Sequence, residues 1–169
     1  MKTFLFSILA IVSVLLTGNL AAAPLNFGVT TQKKRFDVER TQNVSTKFSN
    51  EKWGYTITLE NKTFKPQQNL EVQYRQFKLD DQVKGEAKLT GIPGSTKVPQ
   101  MGNGTKFKFD TEPVTIQKEE LKANWYRGGG GKEKVQDAVA GYWLKIISAG
   151  EVVFEFQYPP EMKSKMTWE

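Results

Sequence analysis

Trp125-Tyr126-Arg127 runs directly into four consecutive glycines, Gly128 to Gly131, and then into Lys132. Two aromatic rings and a guanidinium beside a pliant segment are the residue types that hold a ligand. An indole or phenol face matches the apolar C–H face of a sugar ring, and the guanidinium adds charge. Trp125, Tyr126 and Arg127 are therefore the candidate ligand-binding residues. The same stretch has the composition of a phosphate loop, in which glycine amides cradle an anion. Its spacing is wrong for one: Tyr126 stands where the first glycine is needed, and Glu133 follows the lysine where Ser or Thr is needed. The glycines read instead as a flexible connection between two strands.

Two pairs of adjacent carboxylates, Asp80-Asp81 and Glu119-Glu120, are the other candidates for chemistry. A glycosidase needs two carboxylates that converge across a cleft. Neighbours on a strand point to opposite faces instead, and neighbours in a turn face water. Asp80, Asp81 and Asp110 could offer oxygen ligands to calcium, but they lack the spacing of a calcium loop. Histidine and cysteine are both absent. Ser-His-Asp and Cys-His nucleophile systems therefore cannot be built. Zinc, copper and haem sites lose their usual ligands, and thiol redox chemistry is excluded. No cofactor and no metal are expected, and the expectation is a protein that is not an enzyme.

The elements that would position these residues are strands. Trp53, Tyr55, Ile57 and Leu59 alternate with Gly54, Thr56, Thr58 and Glu60, the pattern of a half-buried antiparallel strand. Asn61-Lys62-Thr63 breaks the run. Leu70, Val72 and Tyr74 continue the alternation, and then Phe77 and Leu79 fall on the opposite parity. A bulge near Arg75-Gln76 would return both to one face. Phe107 and Phe109 form another alternating run, and Pro113 implies an edge position or a bulge before Val114 and Ile116. Ala138 to Ile147 is apolar on most of both faces, which predicts a central strand. Ser148-Ala149-Gly150 reads as a tight hairpin turn. Val152 to Tyr158 alternates again, and Pro159-Pro160 ends the strand. Weaker strands are expected around Phe36–Arg40, Val44–Phe48 and Val83–Leu89. Glu119 to Trp125 could form a turn or two of helix. Thr90 to Thr105 reads as a surface loop. Trp53 and Trp143 fit core packing better than ligand stacking, and Trp168 is expected to fold over an open end of the domain.

These patterns predict an all-β fold, an antiparallel two-sheet sandwich of seven or eight strands in one domain, residues 35–169. A small closed barrel is the second choice. Residues 24–34 are expected to form a flexible N-terminal segment. Before them, Lys2 and the apolar run Phe4 to Leu16, followed by Ala21-Ala22-Ala23, form an export signal over residues 1–23. The apolar run is shorter than the roughly 20 residues a spanning helix needs, so no stable membrane span is expected after cleavage. The mature protein is expected in the periplasm or outside the cell. Lys and Arg outnumber Asp and Glu by 24 to 18, and the excess is spread along the chain. It reads as a solvated surface, with attraction for anionic partners as the alternative. Asn43, Asn61 and Asn103 begin Asn-X-Ser/Thr triplets in turn-like positions, accessible to glycosylation only in a eukaryotic host.

The run Trp53-Gly-Tyr-Thr-Ile-Thr-Leu-Glu-Asn-Lys-Thr63, followed by Leu70-Glu-Val-Gln-Tyr-Arg-Gln-Phe77, resembles the second and third strands of a fibronectin-like or immunoglobulin-like domain. Gly141-Tyr-Trp-Leu-Lys-Ile-Ile147 and Glu151 to Pro159 resemble the closing hairpin. Together they resemble small exported bacterial sandwich proteins. The Cys-Trp-Cys signature of antibody domains is absent. Such sandwiches host many functions, and none carries over from the fold alone. The missing catalytic residue types, with a rigid scaffold carrying a long loop and an aromatic-glycine loop, give an envelope or extracellular protein as the expected partner, polysaccharide as a second possibility and no nucleic acid. The function expected is that of an exported, non-enzymatic macromolecule-binding or accessory envelope protein, with a carbohydrate-binding module as the alternative.

Overall fold

The computed structural model describes residues 26–122, 125 and 131–168. The expected signal, residues 1–23, lies outside them. Nine strands run through the described residues: β1 (Phe27–Gln42), β2 (Thr46–Asn61), β3 (Leu70–Asp80), β4 (Lys88–Val98), β5 (Lys106–Asp110), β6 (Val114–Leu121), β7 (Lys134–Gln136), β8 (Ala138–Ser148) and β9 (Glu151–Tyr158). One helical turn follows, α1 (Met162–Lys165). All pairings are antiparallel and form two sheets. The first has the order β1-β2-β6-β7, with β5 also on β2, and the second has the order β4-β3-β8-β9. The chain crosses between sheets at Asp137, with only that residue between β7 and β8.

Val44–Phe48 and Trp53–Leu59, expected as two strands, fall largely in the one continuous β2, while the run from Phe107 to Ile116 is broken in two and β7 is an added short strand. β5 pairs with Thr56–Glu60 of β2 and β6 with Thr46–Trp53 of the same strand. They lie end to end, separated by Thr111-Glu112-Pro113, where the proline interrupts the ladder. Thr111 plugs the break: its hydroxyl accepts the Tyr55 amide at 2.9 Å and its own amide donates back to the Tyr55 carbonyl at 2.9 Å.

Core residues come from both sheets. Ile57, Leu59, Val72, Tyr142, Leu144 and Ile146 are all fully buried, each worth about 1.5–3 kcal/mol of burial. Aromatic contacts cross between the sheets, with Phe27 edge-on to Phe154 at 5.7 Å and Tyr55 tilted on Tyr142 at 4.9 Å. Burial pushes the Tyr55 phenol up to about 12 and the Tyr142 phenol further.

Several expectations are corrected. Residues 27–34 are not a flexible segment. They are the first part of β1, because Phe27 and Val29 dock in the core while their backbone pairs with β2. Of the expected loop from Thr90 to Thr105, the part up to Val98 is β4. As an edge strand it tolerates Pro93, and its glycines are needed: a Cβ at Gly94 would lie 2.4 Å from the Tyr74 ring. Glu119 to Leu121 ends β6 and is not helical.

Nor does β3 bulge at Arg75-Gln76. Its alternation runs on unbroken, which buries Gln76 in the interior and places Phe77 on the outer face. The irregularity sits on β8, where Phe77 pairs with Gly141 and Lys78 with Val139, leaving Ala140 extra. The outer face accepts an apolar phenyl because the C-terminal segment covers it. Phe77, Trp143 and Met162 form a second buried cluster, with Leu89, Ala140, Met166 and Trp168 packed against it. Trp168 thus lies over the outside of the second sheet, edge-on to Trp143 at 5.3 Å, and not over an open end.

Candidate functional site

β1 and β2 are each 16 residues long, whereas no strand of the second sheet exceeds 11. At about 3.3 Å per residue the first sheet can outrun the second by roughly 16 Å. Burial along one face of β2 records this. Leu59, Ile57, Tyr55 and Glu51 are buried, Trp53 and Ser49 are partly exposed, and Lys47 is in solvent. The registers set the rows of this overhang. Arg40, Ser49, Lys118 and Gln136 stand side by side, and so do Gln42, Lys47, Glu120 and Lys134. Together they line an open cleft of about 530 Å³ whose wall also includes Phe48.

Glu51 anchors the floor where the overhang meets the core. Its carboxylate accepts the Trp53 indole N–H at 2.6 Å and the Lys118 ammonium at 2.9 Å. Burial would raise its pKa, but the hydrogen bonds from Lys118 and Trp53 outweigh that and hold it below the usual value of 4.5. Lys33 and Arg35 sit over the Trp53 ring at 5.4 and 5.8 Å. Arg40, Lys47 and Lys134 have no carboxylate within ion-pair distance among the described residues. The cleft therefore offers cations, the carboxylates of Glu119 and Glu120, amides and hydroxyls, which suits contact with a polar partner.

The sequence candidates fare unevenly. Trp125 is 50% exposed, held by its amide to the Lys122 carbonyl at 3.1 Å. Tyr126 and Arg127 lie outside the described residues, as do Gly128 to Gly130. The paired carboxylates do not converge. Asp80 takes the Lys78 ammonium at 2.7 Å, and that ammonium also reaches Asp137 at 2.9 Å. Burial alone would lower Lys78, but the hydrogen bonds to Asp80 and Asp137 hold it above its ordinary value. Asp81 binds the Lys132 ammonium and the Gln136 amide. Lys132 first, then that amide, lowers its pKa. Glu119 and Glu120 alternate on β6. Asp80, Asp81 and Asp137 are tied up by Lys78 and Lys132 at the corner between the sheets, whereas Glu119 and Glu120 line the cleft. Among the described residues, no cluster of His, Cys, Asp or Glu has the geometry to hold a metal ion.

Asn61 also departs from expectation. Its side chain is fully buried and donates to the carbonyls of Lys65, Met101 and Gly102 at 3.0, 3.1 and 3.2 Å. It ties the β2–β3 turn to the segment after β4 and is not accessible to glycosylation. Sequence reasoning missed the cleft as well, since its residues come from four strands. The one available signal was the alternation of Lys47, Ser49 and Glu51 continuing the apolar face of β2 in polar form.

No protein-family profile matches the sequence, and no curated protein matches it. Among solved structures, Northeast Structural Genomics Consortium target SoR45 superposes with a TM-score of 0.36 at 12% identity, covering 78% of this chain and 84% of that one. A protein from Akkermansia muciniphila superposes with a TM-score of 0.33 at 9% identity, covering 86% of this chain and 80% of that one. At these scores neither likeness bears on what the chain does.

Proposed function

We propose that this chain is an exported, non-enzymatic β-sandwich that binds another macromolecule in the periplasm or outside the cell, as an accessory part of an envelope assembly. The observation that carries the reading is the overhang: a four-strand polar face that extends beyond the core and is lined by unpaired Arg40, Lys47 and Lys134. A face of this kind costs core burial, and contact with a partner is a use for it. The absence of histidine and cysteine, together with carboxylates tied into ion pairs, favours contact over catalysis. The closer likeness to fibronectin-like and immunoglobulin-like domains belongs to the same reading, supported by the β8–β9 hairpin that closes the second sheet.

A photo-crosslinking side chain at Gln42 tests it in intact envelopes. The expected result is one discrete adduct of higher mass, absent when the crosslinker replaces Val152 on β9. Equal diffuse labelling from both positions would remove the reading. The alternative, a carbohydrate-binding module, is favoured by the half-exposed indole of Trp125. It predicts that Trp125→Ala weakens retention on an insoluble glycan while the melting temperature stays unchanged.

A further inference from the structure

The overhang ends at the Asn43-Val44-Ser45 turn. This turn joins β1 to β2, and the chain leaving β6 runs beside it. The Lys122 amide donates to the Ser45 carbonyl at 2.8 Å, and the Lys122 ammonium reaches the Asn43 carbonyl. Trp125 is hydrogen-bonded back to Lys122, which places it at the same tip. The turn is held firmly: the Asn43 side-chain oxygen accepts the amides of Ser45 at 3.0 Å and Thr46 at 2.7 Å. A fixed turn therefore presents Val44 to solvent at 79% exposure, with the half-exposed Trp125 on the chain held against that turn. Behind this apolar front Lys47 and Lys134 stand in one row with Glu120 between them, and Arg40 stands two rows farther back.

Apolar side chains leading and unpaired cations following is the arrangement of a protein that rests on an anionic membrane. The apolar tips enter the headgroup boundary, and the cations meet lipid phosphates. Tryptophan is the residue that favours that boundary most. We propose that the Asn43-Val44-Ser45 end of the first sheet, with Trp125 beside it, docks peripherally on a bilayer carrying anionic phospholipid. Val44 and Trp125 would enter the interface, and Arg40, Lys47 and Lys134 would pair with headgroups. This goes beyond the macromolecule-binding reading and stands or falls separately from it.

Co-sedimentation of the purified protein with vesicles tests it. The vesicles are phosphatidylcholine alone, or phosphatidylcholine with roughly one third phosphatidylglycerol. Binding to the anionic vesicles alone, weakened by salt, is expected. Val44→Ser with Trp125→Ser should weaken it at least tenfold or so. Arg40→Gln, Lys47→Gln and Lys134→Gln should each cost about fivefold, while Lys47→Arg restores binding and Lys97→Gln on β4 changes nothing. Quenching by brominated lipid should disappear in Trp125→Phe while binding persists, a signature that a folding defect would not mimic.

The opposite end of β2 carries its own exposed ring, Phe64, at 94% exposure, between Lys62 and Lys65. Loss of binding in Phe64→Ser but not in the Val44 and Trp125 variant would overturn the proposal. So would equal binding to uncharged vesicles, or no vesicle binding alongside salt-sensitive retention on polygalacturonate. A Gln42 crosslink that survives when vesicle binding is absent would leave the macromolecule-binding reading in place and remove this one alone.

Discussion

Gly141 shows how one side chain's absence shapes the molecule. A Cβ there would lie 2.1 Å from the Tyr158 carbonyl oxygen and 2.8 Å from the Met162 methyl. The chain leaving β9 can therefore turn back over β8 only across a glycine. Gly141→Ala should lower stability by about 1–3 kcal/mol, measured by urea unfolding with an unchanged denaturant slope. Glu51 acts through charge. Its pKa is held below the ordinary value in the folded state, so the unfolded chain binds the proton more readily. The stability it contributes is complete above pH 4.5 and is lost as pH falls through the depressed folded value. Asp80 adds to the same acid slope, since Lys78 lowers it first and Thr90 next, against some opposing burial. The melting temperature should be level near neutral pH and fall steeply in acid. Glu51→Gln should reduce stability at neutral pH by roughly 1–2 kcal/mol and make the acid slope shallower.

At the scale of elements, the β8–β9 hairpin contains an avoidable strain. Its two-residue turn places Ala149 at φ 50° and Gly150 at φ 85°, the conformation for which Asn-Gly is suited. Ala149→Asn should stabilise the protein by roughly 1 kcal/mol and raise the melting temperature by a few degrees, about 2–4 °C. The C-terminal segment is a cover for the second sheet. Met162 is buried against Phe77 and Trp143, and Lys145 sits 4.1 Å over the Trp168 ring. Ending the chain after Lys165 removes Met166 and Trp168 and uncovers the Trp143 patch. The truncated protein should lose about 1–3 kcal/mol, with a red-shifted tryptophan emission that the Trp168→Phe variant shows only weakly.

At the scale of the whole molecule, two sheets of unequal length share one core, and the surplus of the longer sheet becomes surface. That surface carries Arg40, Lys47, Lys118 and Lys134 beside Glu119 and Glu120. Export is the premise of the functional reading. Expressed in a bacterium, the protein should be released by osmotic shock or found in the medium, and mass spectrometry should show a chain beginning between Ala22 and Pro24. A full-length protein confined to the cytoplasm would remove the envelope assignment.

Alternation along Trp53–Leu59, Leu70–Tyr74 and Ala138–Tyr158 was enough to specify strands, a central β8 and the closing hairpin, because a two-residue period is a property of the local chain. The absence of His and Cys likewise narrowed the chemistry without any coordinates. Which face Phe77 occupies was not legible, because that depends on a tail nearly ninety residues later in the chain arriving to cover it. Residues 27–34 and 90–98 looked irregular by themselves and became strands because long neighbours offered them complete ladders. The cleft, the tip at Val44 and Trp125, and the buried roles of Glu51 and Asn61 were likewise decided by tertiary structure. Each is a meeting of residues distant in sequence, set by register and by the difference in length between two sheets.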